Sequence, residues 1–484
     1  MGTWNQRTNM TMLTDYYELT MSQAYFNQNM EDQIACFDLY FRHVPDNGGF
    51  AIMAGVQQAV DYIEALHFDD KDIAFLRETG DFDEGFLGYL RDFEFSCDVW
   101  AIPEGTPLFP GEPIVKVRGP IIQAQMIETM LLLTINHQSL IATKSSRIVR
   151  AAQGRPVMEF GARRAQGADA SVLGARAAYI GGAAGTSCTI TGQQFGIPLS
   201  GTMAHSFVQA HGDEYEAFAA YAVSFPDNCV LLVDTYDTLE LGVPNAIRCA
   251  KEVLEPMGKR LRGIRIDSGD LAYLSNEARR MLDAAGLQDC KIIVSNSLDE
   301  YVIRDLIHQG AKVDSFGVGE RLITSRSAPV FGGVYKLSAI GKGDRLSPRM
   351  KISDNQSKIT NPGDKKLFRF YDRTSGKALA DLITLEHETI NDQEPLEIFD
   401  PVATWKRKTL ENFTARELLE PLFVGGKRVY EERDIEEIRD YCASELETLW
   451  PETKRFEQPQ LYYVDLSQEL WDLKHKILHG YHKN

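Results

Sequence analysis

The sequence predicts an α/β protein with a parallel sheet in its middle third. Three observations carry this. Between residues 150 and 340, short apolar runs alternate with amphipathic segments, the rhythm of repeated strand–helix units. Polar residues collect where these runs end, and strand ends are where ligands bind in both barrels and open sheets. The 484 residues, 44% hydrophobic and 25% charged, suffice for two or three domains of an ordinary globular protein.

Residues 1 to about 135 read as mixed structure. A strand at 36–42 precedes a Pro/Gly break at 45–49, and 50–54 follows as another. Residues 99–118 read as strands interrupted by Pro- and Gly-rich turns, and 121–141 as one long helix ending near Lys144 to Arg147. The central apolar runs are 156–160, 229–234, 263–267, 291–296 and 314–318, with helices expected at 213–224, 245–257 and 271–285. Ser297 with Glu300 is expected to form a capping box ahead of 301–308. From about 345 the rhythm shifts to a hairpin around Ser375-Gly376 and charged helices at 433–449 and 467–478. Those helices complete the N-terminal domain or cap the sheet. The expected boundaries are 1–140, 141–345 and 346–484. No fixed-period repeat or low-complexity tract interrupts them.

Lys and Arg number 51 against 69 Asp and Glu, a net charge of −18. That balance favours solubility and argues against nucleic acid or anionic membranes as partners. An anionic substrate would need basic residues gathered at its site. Seven cysteines, an odd number, include no Cys-x-x-Cys, which argues against a disulfide framework or zinc site and for a reducing compartment. Met1-Gly-Thr-Trp-Asn lacks a basic n-region and apolar core, so no signal peptide is expected. No run approaches 18 apolar residues. The expected location is cytoplasmic.

The segment Gly201-Thr-Met-Ala-His-Ser206 is the richest in chemistry. Small residues admit a ligand to the backbone, and a histidine just past a strand is placed to act as base or nucleophile. Arg265-Ile-Asp-Ser-Gly-Asp270 follows an apolar run and opens a helix. Its arginine can grip a carboxylate in bidentate fashion, and its turn can cradle phosphate or sugar hydroxyls. The first segment also reads as a structural histidine in a tight turn, and the second as a capped turn with surface charges. Gly317-Val-Gly-Glu320 has Leu322 where the dinucleotide fingerprint needs a third glycine. Glu159-Phe-Gly-Ala-Arg-Arg164 sets two arginines beside an aromatic, a clamp for a flat anionic ring or a solvated pair on a rim. Asp234-Thr-Tyr-Asp237 lacks the adjacent acids and following Thr-Gly of the Rossmann-like phosphoribosyltransferases. No Walker A motif occurs.

Together these segments closely resemble the nicotinate phosphoribosyltransferases, of the type II phosphoribosyltransferase family. The resemblance begins at Leu13-Thr-Asp-Tyr-Tyr17. It continues through Glu159 to Arg164, Gly201 to Ser206, Asp234 to Tyr236, Arg265 to Asp270, Ser295-Asn296 and Gly317 to Gly319. Gly332-Gly-Val-Tyr-Lys336, Lys351-Ile-Ser353 and Pro362-Gly363 extend it, so it covers roughly residues 10 to 400. It implies an irregular, TIM-like α/β barrel beside an α/β sandwich. It implies a step of NAD biosynthesis, nicotinate mononucleotide from nicotinate and phosphoribosyl pyrophosphate. It implies further that ATP hydrolysis is coupled to that step through a phosphohistidine and that Mg²⁺ is required, its ligands not identified by the sequence.

The resemblance also implies roles. His205 would be phosphorylated and Phe160 would stack on the pyridine ring. Arg265, with Thr202 and Tyr17, would hold the nicotinate carboxylate. Arg163 would contact phosphate or substrate, and Asp267 would face the ribose hydroxyls. The N–H groups of Gly319 and Glu320 would take the 5′-phosphate. A homodimer with shared sites follows, because Tyr17 reaches the neighbouring subunit's site in the nicotinamide-using relatives. Those relatives carry Asp where this chain has Ser187, and an acid there would repel a carboxylate, so Ser187 favours nicotinate over nicotinamide. A non-catalytic barrel binder is the other alternative, against which the joint presence of His205, Arg265 and Asp267 weighs.

Overall fold

The computed structural model describes residues 9–355 and 358–481. The expectation on Met1 to Asn5 lies outside them. The chain divides into two units, residues 141–329 and the segments on either side of them.

The inner unit is built on six parallel strands. In spatial order they are Gly185–Thr186, Val157–Glu159, Ser315–Val318, Lys291–Ser295, Gly263–Ile266 and Val230–Leu232. The first strand in sequence therefore lies beside the last, and every other consecutive pair but one are neighbours. That is the order of a barrel opened at one seam, between Gly185–Thr186 and Val230–Leu232. A bridge from Thr186 to Leu199 extends the sheet into the seam, and Ser200 N–H donates to Thr186 O at 2.9 Å. The stretch from Ser200 to His205 then crosses the gap, since His205 Nδ1 lies 3.1 Å from Thr235 Oγ1 beyond the far strand.

Local chemistry explains the helices between strands. Asp213 and Asp270 cap Glu214–Ser224 and Leu271–Ala284 through their carboxylates. The expected Ser297–Glu300 capping box does not form. Asp299 caps Glu300–His308 instead, accepting from the N–H groups of Tyr301 and Val302. The preceding residues are used for the turn: Asn296 and Ser297 both take left-handed backbone, with φ of 90° and 50°. The expected helix 121–141 is two helices, Ile121–Met126 and Glu128–Ala151, broken at Ile127.

The outer unit is largely antiparallel. Its seven-stranded sheet centres on Ile34–Tyr40, paired with Val334–Lys342 on one side and Val115–Pro120 on the other. That pairing corrects the expected boundary at 345: residues 330–345 belong here because their strand completes this sheet. A four-stranded sheet includes the hairpin Lys365–Asp372 and Ala378–Leu385, with Val464–Leu466 parallel beside it. Phe368, Phe370, Leu382, Ile398, Leu410 and Phe413 pack into an apolar cluster on it. Among the described residues no helix is long and apolar enough to cross a membrane.

Candidate active site

The polar residues of the inner unit meet at the ends of its strands. Arg265 and Asp267 leave the strand Gly263–Ile266 on one face, two residues apart. Beside them Lys291–Ser295 runs parallel, with Ile293 opposite Arg265, so Ser295 stands one pleat further on that face. Ser295 Oγ accepts from Arg265 Nε at 2.9 Å and donates to Asp267 Oδ1. Arg265 Nη2 donates to the same Oδ1 at 2.9 Å. One edge of the guanidinium, Nε with Nη2, is thus engaged. Arg265 Nη1 lies 3.5 Å from Thr202 Oγ1 on the seam-crossing segment. Of five N–H groups, one on each terminal nitrogen remains, a geometry that matches a carboxylate.

His205 opens the short helix His205–Gln209. With Nδ1 against Thr235, its Nε2 faces Asp267 Oδ2 at 3.9 Å, and the imidazole is 42% exposed, open to a ligand. Asp234 supports this corner from beneath. Its Oδ2 accepts from Asp267 N–H at 2.8 Å and Ser268 Oγ at 2.6 Å, so it holds the turn that presents Asp267. Asp234 is buried, and its Oδ1 has no hydrogen-bond partner among the described residues.

Phe160 forms the apolar wall, with Arg265's guanidinium carbon 5.6 Å from its ring centroid. Two glycines make room for it. A Cβ at Gly317 would sit 2.5 Å from the ring, and one at Gly319 would sit 3.1 Å from the Phe160 carbonyl oxygen. The Gly-x-Gly here therefore seats an aromatic side chain. Glu159 is fully buried beneath the turn, where Oε1 accepts from Gly161 N–H and Oε2 from Thr186 Oγ1 at 2.7 Å. Burial pushes its carboxyl above the usual range.

The remaining expected residues fall in different places. Ser187 is exposed at the end of Gly185–Thr186, and its N–H donates to Glu159 O at 2.9 Å. Arg163 is exposed in the single turn Ala162–Arg164. Gly319 begins the four-residue helix Glu320–Ile323, and Glu320 pairs with Arg326 at 3.0 Å. Tyr17 belongs to the outer unit, on Tyr16–Asn27, and is 45% exposed. Burial and the nearby Glu128 and Glu18 carboxylates raise its phenol's pKa. Glu159, Asp234, Thr235 and Ser295 had no assigned role in the sequence. The signal for the last three was present, as polar residues ending apolar runs.

Among the described residues no three or more His, Cys, Asp or Glu side chains are grouped to hold a metal ion. Asp267 Oδ2 and the unpartnered Asp234 Oδ1 are hard oxygen donors at one corner. Oxygen donors of this kind are what Mg²⁺ takes, usually one or two carboxylates with phosphate and water in its other positions. In the outer unit, a cavity of about 350 Å³ is lined by Arg42, Lys336, Lys365 and Lys474 with Asp38. It is a local excess of positive charge in an acidic chain.

Comparison with known proteins identifies the family. The nicotinate phosphoribosyltransferase N-terminal domain matches residues 12–136, the family itself residues 156–381 and the C-terminal domain residues 364–474. The nicotinate phosphoribosyltransferase of Bacillus subtilis (strain 168) is 44% identical over 472 residues, covering 97% of this chain and 95% of the relative. The crystal structure of human nicotinic acid phosphoribosyltransferase superposes with a TM-score of 0.86 at 30% identity, covering 96% of this chain and 99% of that one. A nicotinate-nucleotide pyrophosphorylase from Pyrococcus furiosus shares the fold, with a TM-score of 0.69 at 24% identity over 93% of this chain and 97% of that one. Likeness of this extent, over nearly the whole chain, assigns it: the chain belongs to the nicotinate phosphoribosyltransferase family.

Proposed function

We propose that this chain makes nicotinate mononucleotide from nicotinate and phosphoribosyl pyrophosphate, with ATP hydrolysis coupled through a phosphohistidine at His205. The observation that carries the reading is the pairing of Arg265's open N–H fork with the Phe160 ring beside His205 and Asp267. The fork suits the carboxylate of nicotinate and the ring suits its pyridine. Thr202 adds a hydroxyl beside the fork. Ser187, uncharged and exposed, leaves the carboxylate unopposed.

The pyridine nitrogen attacks C1′ of the ribose as the C1′–O bond breaks and diphosphate leaves with its electron pair. Asp267 faces the ribose hydroxyls and the positive charge developing at C1′. Gly319 and Glu320 N–H groups receive the 5′-phosphate, and Arg163 lies at the rim to meet phosphate. Mg²⁺, when bound, neutralises diphosphate charge, with Asp267 and Asp234 as the carboxylates that would hold it. In the coupled step His205 Nε2 attacks the γ-phosphorus of ATP and ADP leaves. Water later takes the phosphoryl group as inorganic phosphate. Thr235 at Nδ1 keeps Nε2 the free nitrogen.

The test is mononucleotide formation with and without ATP. His205→Ala is expected to abolish ATPase while leaving slow, ATP-independent synthesis. Full ATPase in that variant removes His205 from the phosphoryl path. We also assign a two-fold homodimer in which the partner's Tyr17 segment completes each site, and the basic cavity's cations suit polyphosphate. Mixing Tyr17→Ala with His205→Ala chains should recover part of the activity, one intact site per heterodimer. Confirmed heterodimers without recovery would mean that each chain builds its site alone.

A further inference from the structure

Among the described residues, Ser295 is the one side chain hydrogen-bonded to both Arg265 and Asp267. It is 3% exposed and ends the strand Lys291–Ser295, with Gly317 opposite it on the next strand. The two left-handed residues after it, Asn296 and Ser297, turn the chain away at once, a costly backbone for residues other than glycine. A serine hydroxyl has one hydrogen and two lone pairs. Here the hydrogen goes to Asp267 Oδ1 and a lone pair takes Arg265 Nε–H.

The alternative arrangement is visible elsewhere in the chain. Arg369 uses the same edge, Nε and Nη2, to hold both oxygens of Asp381 at 2.9 and 2.7 Å. A guanidinium and a carboxylate two residues apart would settle into that bidentate pair if nothing intervened. Asp267 Oδ2 would then turn from His205 to Arg265, and the guanidinium would rotate its free fork with it. The Ser295 hydroxyl supplies the partner for Nε that Asp267 Oδ2 otherwise would.

We propose that Ser295 is a positioning residue that keeps the Arg265–Asp267 pair monodentate, so that Asp267 Oδ2 and the Arg265 fork stay available to substrate. This rests on the function proposed above. The experiment compares Ser295→Ala and Ser295→Cys with the unaltered protein, measuring KM for nicotinate and kcat separately, with Tm as the check on folding. Both variants are expected to raise the nicotinate KM about tenfold, the cost of one charge-assisted hydrogen bond at the Arg265 fork, and to lower kcat as Asp267 Oδ2 turns away from the ribose. Ser295→Thr, which restores a hydroxyl, recovers most of that loss. In an Arg265→Lys background, which has no Nε–H, Ser295→Ala adds less than about twofold.

A folded Ser295→Ala or Ser295→Cys enzyme with the parental KM overturns the proposal. So does a penalty undiminished in the Arg265→Lys background, or a folded Ser295→Thr as impaired as Ser295→Ala. If the unaltered protein makes no mononucleotide from nicotinate, the proposed function falls and this proposal falls with it. A competent parent with an indifferent Ser295 refutes the positioning role alone.

Discussion

Arg265 with Asp267 in the inner unit and Arg369 with Asp381 in the outer unit are the same two residue types in opposite settings. Arg369 and Asp381 are both 0% exposed, and the pair is closed: two oxygens on one guanidinium edge, with Nη2 also donating to Pro107 O at 2.9 Å. Tyr462 OH donates to Asp381 at 2.9 Å and stacks on Phe109, 3.8 Å between centroids. Glu112, fully buried beside them, has its pKa pushed up, first by burial and then by the Asp381 charge. Arg265 and Asp267 are 18% and 31% exposed, and a serine stands between them. A pair sealed from solvent can only hold the fold, even though Arg369 Nη1 has no hydrogen-bond partner among the described residues. A half-open pair with unspent donors can receive a ligand. Residue type alone does not separate the two; burial and the third partner do.

The strongest way to break the contrast is Asp381→Ala. It leaves Arg369 in the core with only Glu112, 3.7 Å away, as counter-charge, at a cost of about 3–5 kcal/mol of unfolding free energy. Denaturant melts should show that loss, while the nicotinate KM of whatever remains folded stays close to parental. A stability loss below about 1 kcal/mol would remove the distinction between the pairs. Arg265→Lys should do the reverse. It keeps the charge and loses the fork, so kcat/KM for nicotinate falls about ten- to a hundredfold, or about 1.5–3 kcal/mol, with Tm little changed. Unchanged kinetics in both Arg265→Lys and Arg265→Gln would make Arg265 structural, like Arg369. The smallest effect is expected from Ser187→Asp at the exposed rim. A second anion in high dielectric should cost nicotinate about 1 kcal/mol, roughly fivefold, and neutral nicotinamide less. Equal penalties for both compounds would place Ser187 outside the recognition shell.

The strand–helix alternation of residues 150–340 was legible because its apolar runs are short and polar residues collect where they end. The central strands fall inside the expected runs: Gly263–Ile266, Lys291–Ser295 and Ser315–Val318 each lie within one. Arg265 and Asp267 could be picked because they close such a run, and His205 because small residues precede it. Phe160 could be picked from its place before a glycine and two arginines. Local signals ran out where competition was local too. Ser297 looked like a cap, but Asp299, two residues later, offers a carboxylate at the helix start. The long apolar stretch after Ile121 held no sign of the break at Ile127.

Length, charge, helix caps and the chemistry available at each strand end are thus written in the sequence by itself, because they depend on near neighbours. Other features depend on residues tens or hundreds of positions apart. The strand order that brings Val157–Glu159 beside Ser315–Val318 is one, and the transfer of Val334–Lys342 to the N-terminal sheet is another. So is the meeting of Ser295 with Arg265, which are 30 residues apart, and of Thr235 with His205, also 30 apart. Only the closed tertiary structure sets those distances. They determine which arginine is sealed in a core and which stays open to a ligand.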